Sequence, residues 1–292
     1  MTHSLKEARL HMILDRLSNR EEVEIDEQWI EEAGEMFKQG LRKQLMPEPG
    51  QDDFRIRMSN IGRPTCQLQM QKAGEKPARM PYNHIVRMML GDAVEAIMEV
   101  LIRAAGLNVT GGKNQVELKI GDTTIKGEDD IELDGKVFDT KSASPWAYTH
   151  KWVEGIDALK REDSFGYIPQ LVGYSISQGK DPGGWIVVNK STGEVKVVEL
   201  SEYDIDIDKV KAQMERTVNV IATDQPFERC FEPVEEKFRG KPTGNKRLST
   251  DCTFCNFMKQ CWPEAVFKPQ TGSKAAYPKH YWYTEYAEDA EG

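Results

Sequence analysis

The stretch EDDIELDGKVFDTK, residues 128–141, predicts a tight β-hairpin. Asp134-Gly135 suits a two-residue type I′ turn, because both central positions of that turn need a positive φ. Side chains alternate along a strand, so the turn also fixes which residues share a face. Counting outward from it gives these cross-strand pairs: Leu133 with Lys136, Ile131 with Phe138, Asp130 with Asp139, and Glu128 with Lys141.

The pairing of Asp130 with Asp139 suggests a cation site. Two carboxylates directly opposite each other repel, and one keeps its proton unless a cation sits between them. Mg²⁺ and Mn²⁺ prefer carboxylate, water and phosphate oxygens, and Lys141 on the same face would orient or deprotonate a bound water. The group therefore suits metal-assisted hydrolysis of a phosphodiester. The alternative is a solvated acidic hairpin in which Glu128 pairs with Lys141.

Composition limits the class of protein. The chain has 292 residues and a net charge of −9, which argues against a generally basic nucleic-acid coat protein. Local basic stretches remain at residues 54–64 and 236–247. No apolar run approaches membrane-spanning length, and the charged amphipathic N-terminus lacks the apolar centre of a signal peptide. We therefore expect a soluble, intracellular protein with no membrane partner.

The pattern along the chain predicts an α/β fold with a mixed sheet. Helices are predicted twice within residues 4–45, the first opened by a capping box at Ser4 and Glu7, and then over residues 83–106, 148–161, 167–178 and 204–222. Strands are predicted over residues 114–120, 123–133, 136–141, 184–190 and 194–200. The apolar stripe of the 83–106 helix is predicted to contain Ile85, Met89, Ala93, Ile97, Leu101 and Ala104. Residues 46–53 are predicted to be a linker, 235–249 a mobile segment, and 270–292 a tail with an aromatic anchor.

Three polar residues on helices are further candidates for the site. Glu95 would be a metal ligand or a supporting group if its helix packs across the hairpin, although a single helical glutamate more often faces solvent. Gln170 and Tyr174 are spaced i, i+4 and project from one helix face. The amide can hold a metal-bound water or a phosphate, and the phenol can stack on a base or donate to a phosphate. A Gln-x-x-x-Tyr pair is also easily found by chance.

The cysteines suggest a second metal site. Three of the five form C-x2-C-x5-C, namely Cys252, Cys255 and Cys261. In an intracellular protein such close spacing favours a metal over disulfides. A fourth thiolate must then come from Cys66 or Cys230. Spacing does not decide between zinc and an iron–sulfur cluster, and a redox pair or plain structural thiols are the alternatives.

Taken in order, these motifs resemble the RecB-like branch of the PD-(D/E)XK nuclease superfamily. The likeness is strongest to its iron–sulfur members, which include the AddB nuclease domain and a four-cysteine CRISPR-associated exonuclease family, and it spans about residues 59–262. The chain departs from the family at Asp92, where a histidine is common. The matching motifs are Gly91-Asp92-x-x-Glu95, Gly127 to Asp130, Asp139-Thr140-Lys141, Gln170 to Tyr174, and Cys66 followed by Cys252, Cys255 and Cys261.

The resemblance implies a restriction-endonuclease-like core with a bound divalent cation. Asp130 and Asp139 would bind Mg²⁺ or Mn²⁺ with support from Glu95, and Lys141 would orient or activate the attacking water. Gln170 would be catalytic and would hold, with Tyr174, the DNA or the water network. The four matched cysteines would hold a structural [4Fe–4S] cluster, with zinc as the less favoured metal. The implied organisation is an N-terminal helical extension over 1–48, a nuclease core over 49–266 closed by the cluster, and a tail over 267–292.

The expected activity is a DNA exonuclease that acts on single-stranded DNA or duplex ends in recombination, repair or DNA processing. It would work in the cytoplasm, that of the host if phage-encoded, with DNA and a recombination or single-strand-binding protein as partners. One alternative is an endonuclease that selects a sequence or structure. Another is a non-catalytic DNA-binding recombination accessory protein, against which the intact motif residues argue. The oligomeric state does not follow from the sequence.

Overall fold

The computed structural model describes residues 4–46, 54–154, 156–161, 163 and 165–287. The chain divides into two compact units. The first unit contains residues 1–62 and 81–222, and the second contains residues 63–80 and 223–292. Each unit is therefore built from two separate segments of the chain.

The predicted helices and strands are largely confirmed. The helices are α1 (Leu5–Ser18), α2 (Glu27–Leu45), α3 (Thr65–Lys72), α4 (His84–Ala104), α5 (Pro145–Ala147), a π-helix (Tyr148–Val153), α6 (Ile156–Arg161), α7 (Tyr167–Ser177), a 3₁₀ turn (Leu200–Glu202), α8 (Ile207–Ala222), α9 (Thr250–Thr253) and α10 (Met258–Cys261). The strands are β1 (Val109–Gly111), β2 (Gln115–Ile120), β3 (Thr123–Glu128), β4 (Ile131–Leu133), β5 (Lys136–Ala143), β6 (Pro182–Asn189), β7 (Val195–Glu199), β8 (Val234–Phe238), β9 (Lys241–Arg247), β10 (Val266–Pro269) and β11 (His280–Glu285).

The first unit is a mixed α/β structure, as predicted. Its main sheet has the strand order β1-β4-β5-β6-β7, with β5 and β6 parallel and the other neighbours antiparallel. Strands β2 and β3 form a separate two-stranded sheet. The parallel pair at the centre follows from the long helical crossover between β5 and β6, since parallel neighbours need such a connection.

Helices cover the main sheet. Residues of α1 and α4 pack with Phe138 and with apolar side chains of β4, β6 and β7 in one buried cluster. Helix α7 contacts β5 and β6. Because side chains alternate, Phe138 points to α1 and α4 while Asp139 and Lys141 lie on the other face. The sheet thereby places Asp139 and Lys141 on the side away from α1 and α4, whereas Thr140 and Ser142 of the same strand share the face of Phe138.

The start of α1 ties the N-terminal segment to the sheet. Ser4 Oγ accepts the Glu7 N–H at 3.1 Å, which confirms the Ser4 half of the predicted capping box. Glu7 itself is buried, accepts the Val197 N–H at 2.9 Å and pairs with Lys196 at 3.0 Å. The N-terminal helix is therefore an integral layer of the first unit.

The second unit contains a sheet that the sequence did not indicate. Its strand order is β10-β11-β9-β8. The segment 235–249, predicted to be mobile, supplies most of β8 and all of β9, and residues 280–285 of the predicted tail form β11. The compact units also divide the predicted 49–266 core. The predicted linker over 46–53 lies, apart from Met46, outside the described residues.

Within the described part of the chain, none of the helices has the length and apolar character needed to cross a bilayer. Helix α4, with 21 residues, is the longest.

Candidate active site and cysteine cluster

The hairpin that orders the site forms in the predicted register. Asp134 and Gly135 have φ of 53° and 76°, the pair of positive values that a type I′ turn requires. Ile131 faces Phe138 across the ladder. One residue further out, Asp130 Oδ2 accepts the Thr140 N–H at 2.9 Å, so its carboxylate reaches across to β5.

The ladder stops there, which corrects the predicted strand over 123–133. Glu128 pairs with Gln115 in the smaller sheet, so the predicted contact between Glu128 and Lys141 is wrong. Asp129 is buried and accepts the Asn114 N–H at 2.6 Å and the Gln178 amide at 3.0 Å. These hydrogen bonds hold the chain where it passes from one sheet to the other.

Buried Asp139 and half-buried Lys141 form an ion pair beside Asp130. Lys141 Nζ donates to Asp139 Oδ1 at 2.8 Å and lies 3.4 Å from Gln170 Oε1. Asp139 Oδ2 lies 2.6 Å from the same nitrogen but outside hydrogen-bonding geometry, and no donor among the described residues satisfies it. This oxygen is therefore ion-paired without being hydrogen-bonded, which is unusual for a carboxylate in a protein interior.

Burial raises the pKa of Asp139 to about 7, and the nearby Asp130 carboxylate adds to the shift against the opposing charge of Lys141. Burial alone would lower the pKa of Lys141, but the carboxylates of Asp139 and Asp130 outweigh it and hold that pKa above its usual range. The lysine therefore stays charged, while the Asp139 carboxyl exchanges its proton near neutral pH.

Helix α7 carries Gln170 to this pair. Its N-terminus is capped by Asp163, which accepts the Tyr167 and Ile168 N–H groups at 2.8 and 2.9 Å. The preceding Gly166 has a φ of 73°, and a Cβ there would lie 2.4 Å from the backbone of Gly62. The close backbone contact explains why glycine stands at both positions.

Tyr174 follows on the same helix face but is 5% exposed. Gly127 makes room for its ring, because a Cβ at Gly127 would lie 2.8 Å from Tyr174 Cε1 and 2.7 Å from Met58. Burial raises the pKa of Tyr174 to about 12, against the effect of its hydrogen bond with Gln170. The buried ring does not offer the base-stacking surface that the sequence suggested, whereas its hydroxyl contacts the site through Gln170.

Glu95 lies on α4 and forms an ion pair with Lys113. Lys113 comes directly before Asn114, whose N–H donates to the buried Asp129, and it was not identified from the sequence. Asp92, at the family's histidine position, instead accepts a hydrogen bond from Gln44 of α2 at 3.1 Å. The role of Glu95 beside the carboxylates stays a prediction, and Asp92 is directed to another helix.

Two residues of the site were thus missed. Asp163 gave no N-cap signal, because it lies three residues before the N-cap Gly166 and reaches the helix from the preceding loop. Lys113 had only a Gly-Gly-Lys-Asn loop, which indicates a turn but not its neighbour in space.

All five cysteines belong to the second unit and lie near one another, and they are called the cysteine cluster below: Cys66, Cys230, Cys252, Cys255 and Cys261. The Cys66 N–H donates to Cys230 Sγ at 3.0 Å, and Cys252 packs with Cys255, Cys261 and Trp262. A hydrogen bond with Cys230 raises the pKa of Cys66 far above its usual range, and the same contact lowers that of Cys230 to about 7. Burial raises the pKa of the other three thiols.

Across residues 4–46, 54–154, 156–161, 163 and 165–287, no three His, Cys, Asp or Glu side chains form a group able to hold a metal ion. The donor sets still match the implied groups in their chemistry. Mg²⁺ is commonly held by one or two carboxylates together with water and phosphate oxygens. Asp130 and Asp139 are carboxylates of the kind required. Four thiols suit an iron–sulfur cluster or zinc.

Comparison with known proteins does not assign a family. No family model and no curated protein matches the chain. Among solved structures, the chain is similar to one titled "Crystal structure of SSO0001", with a TM-score of 0.42 and 14% identity over 77% of this chain and 93% of that one.

Proposed function

We propose that this protein is a metal-dependent deoxyribonuclease with a restriction-endonuclease-like core, which hydrolyses phosphodiester bonds from DNA ends. The observation that carries the proposal is the meeting of Asp130, Asp139, Lys141 and Gln170, with one buried oxygen of Asp139 unsatisfied. The order of the motifs and their resemblance to RecB-like nucleases support DNA ends as the substrate.

Asp130 and Asp139 would hold the Mg²⁺ or Mn²⁺ ion, with Glu95 in support. When bound, the cation supplies Lewis acidity and lowers the pKa of a coordinated water. Asp139 Oδ1 accepts from Lys141, and Oδ2, which lies 2.6 Å from the same nitrogen without a hydrogen bond, would be the oxygen offered to the cation. The two carboxylates therefore both bind and orient.

Lys141 acts as a charged group in this scheme. Because the neighbouring carboxylates raise its pKa, it holds its proton at neutral pH and is suited to orient the attacking water and to offset charge developing on the phosphate. Gln170 Oε1 helps to hold the ammonium, and buried Tyr174 fixes Gln170. Of the two roles considered for the lysine, orientation and charge stabilisation fit better than proton removal.

The cysteine cluster would hold a structural [4Fe–4S] cluster through Cys66, Cys252, Cys255 and Cys261, with zinc as the alternative. Hydrolysis of a phosphodiester transfers no electrons, so the iron–sulfur cluster would contribute to the stability of the protein and not to the reaction. A nuclease of this kind serves recombination, repair or the processing of DNA ends.

The test is digestion of end-labelled linear DNA beside closed circular DNA, each single- and double-stranded, with Mg²⁺ or Mn²⁺. We expect loss of linear DNA alone, and Asp139→Ala should abolish it while circular dichroism shows a folded protein. Asp208→Ala, which changes an exposed aspartate of α8, should behave as wild type.

The other outcomes separate the alternatives. Cleavage of circles would indicate an endonuclease, and DNA binding without cleavage would indicate an accessory protein. Full metal-dependent activity in Asp139→Ala would reject the assigned site.

A further inference from the structure

We propose that Lys113 contacts a phosphate of the DNA strand beside Asp130. The inference rests on the proposed function and adds a substrate-binding residue that none of the sequence motifs contains. It follows from how the loop Gly111–Asn114 is built, from what lines the adjacent cleft, and from which cations near Asp130 are already engaged.

The loop is fitted closely against Asp130. The Lys113 N–H donates to Asp129 O at 3.1 Å, and the next N–H donates to the Asp129 side chain at 2.6 Å. Gly112 has a φ of 141°, and a Cβ there would lie 2.8 Å from Asp130 O. Lys113 itself has a φ of 57°, a region that residues with a Cβ enter infrequently. Neighbouring contacts therefore fix where the lysine side chain starts.

A cleft of about 460 Å³ opens between α2, α4 and this loop and reaches Asp130. Its charged lining residues are Glu32, Glu35, Glu99, Asp130, Arg103 and Lys113. Acidic groups outnumber basic ones, so an entering phosphodiester needs a cation in reach.

Of the cationic side chains near Asp130, Lys113 is the one best able to bind an entering phosphate. Arg103 is held by Glu99 at 2.8 Å and by Glu32 at 3.3 Å. Lys141 is engaged by Asp139 and lies on the sheet face under α7. Lys113 keeps 31% of its side chain exposed, and the only ion pair it makes with described residues is the one to Glu95. An ammonium is a compact charge that binds phosphate without demanding one geometry, so it can exchange a carboxylate for a phosphate oxygen.

The experiment measures DNA binding without cleavage, by fluorescence anisotropy of a labelled oligonucleotide at several salt concentrations. Wild-type protein with a chelator and Asp139→Asn with Mg²⁺ serve as two backgrounds. In each, Lys113→Ala should lower the slope of log affinity against log salt by about 0.7 to 0.9, which corresponds to about five- to eightfold weaker binding at 0.1 M salt. Lys113→Arg should retain the wild-type slope.

Lys126→Ala is the matched control. That lysine also pairs with a glutamate, Glu117 at 2.7 Å, but 72% of its side chain is exposed on the smaller sheet. The control should leave slope and affinity unchanged, and thermal unfolding should show that every variant is folded.

An unchanged slope in Lys113→Ala would overturn the proposal. If Mn²⁺ binding were then also weaker in both Lys113→Ala and Glu95→Gln, Lys113 would act through Glu95 and not through the DNA. If wild-type protein neither binds nor cleaves DNA, the proposed function itself fails, which is a separate result.

Discussion

Asp139 is the residue in which structure and chemistry are most closely linked. It lies beside Trp185 in the central parallel pair, and Trp185 packs on Trp152, which in turn packs on Tyr167. This aromatic surrounding removes water from the carboxyl group and favours its neutral form. A cation at the site would reverse that preference, because it stabilises the ionised form.

The first prediction concerns the pH dependence of metal binding. Since the pKa of Asp139 is raised to about 7, a cation must displace a proton below that pH. Affinity for Mn²⁺ should therefore fall about tenfold for each pH unit below 7 and level off above it. Calorimetric titration between pH 5.5 and 8 measures this. Asp208→Asn should keep the dependence and Asp139→Asn should lose it, whereas constant affinity in wild type would contradict the assignment.

The same raised pKa has a consequence for stability in the absence of metal. Between pH 4 and 7 the folded protein keeps a proton that the unfolded chain releases, so the contribution of this group to stability falls as pH rises through that window. Below pH 4 both states hold the proton, and above 7 neither does. The sign is opposite to that of a carboxylate in an exposed ion pair.

At the scale of elements, the site depends on a glycine in β3 that allows α7 to approach. Gly127 lies between Met58 and Tyr174, both buried, with no space for a methyl group. Close packing against Met58 and Tyr174 therefore explains why the Gly-x-x-Asp motif begins with glycine. The motif's aspartate, Asp130, follows three residues later.

We predict that Gly127→Ala costs about 1 to 3 kcal/mol of unfolding free energy through overpacking, and lowers cleavage by displacing Tyr174 and hence Gln170. Gly34→Ala is the matched control, because Gly34 lies in α2 with nothing within 4 Å of an added Cβ. That change should stabilise the protein by up to about 1 kcal/mol. Urea unfolding followed by circular dichroism, with a cleavage assay, compares them. Equal effects of the two substitutions would refute the packing argument.

The hairpin was predictable because a two-residue turn fixes the register of everything around it. The point at which the hairpin ladder ends was not predictable. It is set by a hydrogen bond between the Asn114 N–H and the Asp129 side chain, where the chain passes to the second sheet. The buried face of α4 was also misjudged. Ile97, predicted in the stripe, is 56% exposed, while Met98 and Ile102 are buried. Helix α4 is apolar on several sides, so periodicity alone does not select one face.

The sheet of the second unit was missed for a different reason. Buried Glu236 accepts hydrogen bonds from Tyr283, from Thr243 Oγ1 at 2.7 Å and from Asn245 Nδ2 at 3.2 Å. Because a hydrogen-bonded carboxylate occupies a buried position of this sheet, its strands lack the apolar alternation that marks a strand in the sequence. Its glycines and lysines therefore suggested a mobile segment, although the Arg239-Gly240 turn has the positive φ values of a hairpin.

At the scale of the molecule, charge is divided unevenly between the two units. The first unit has 25 Lys and Arg against 36 Asp and Glu, whereas the second has 14 against 12. The proposed active site therefore lies in the more acidic unit, at a net −11. If the protein acts as proposed, phosphate binding there would depend on a bound cation and on a few placed lysines rather than on a general positive field.

The cysteine cluster joins the two chain segments of the second unit. Cys66 comes from the segment 63–80 and the C-x2-C-x5-C group from the segment 223–292. A bound iron–sulfur cluster or zinc ion would close a loop of about 190 residues between these segments. Closing a loop of that length removes much of the entropy of the unfolded chain. The same chain has a fifth thiol, Cys230, in contact with Cys66.

The last prediction follows from that cross-link. Cys255→Ser should lose the bound iron and visible absorption and lower the unfolding temperature, because both the ligand set and the cross-link are broken. Cys66→Ser should do the same, whereas Cys230→Ser should retain iron, since Cys230 is exposed and lies outside the matched motif. Metal analysis distinguishes iron from zinc. An unchanged unfolding temperature in Cys255→Ser would refute the structural role, and metal loss in Cys230→Ser but not Cys66→Ser would make Cys230 the fourth ligand.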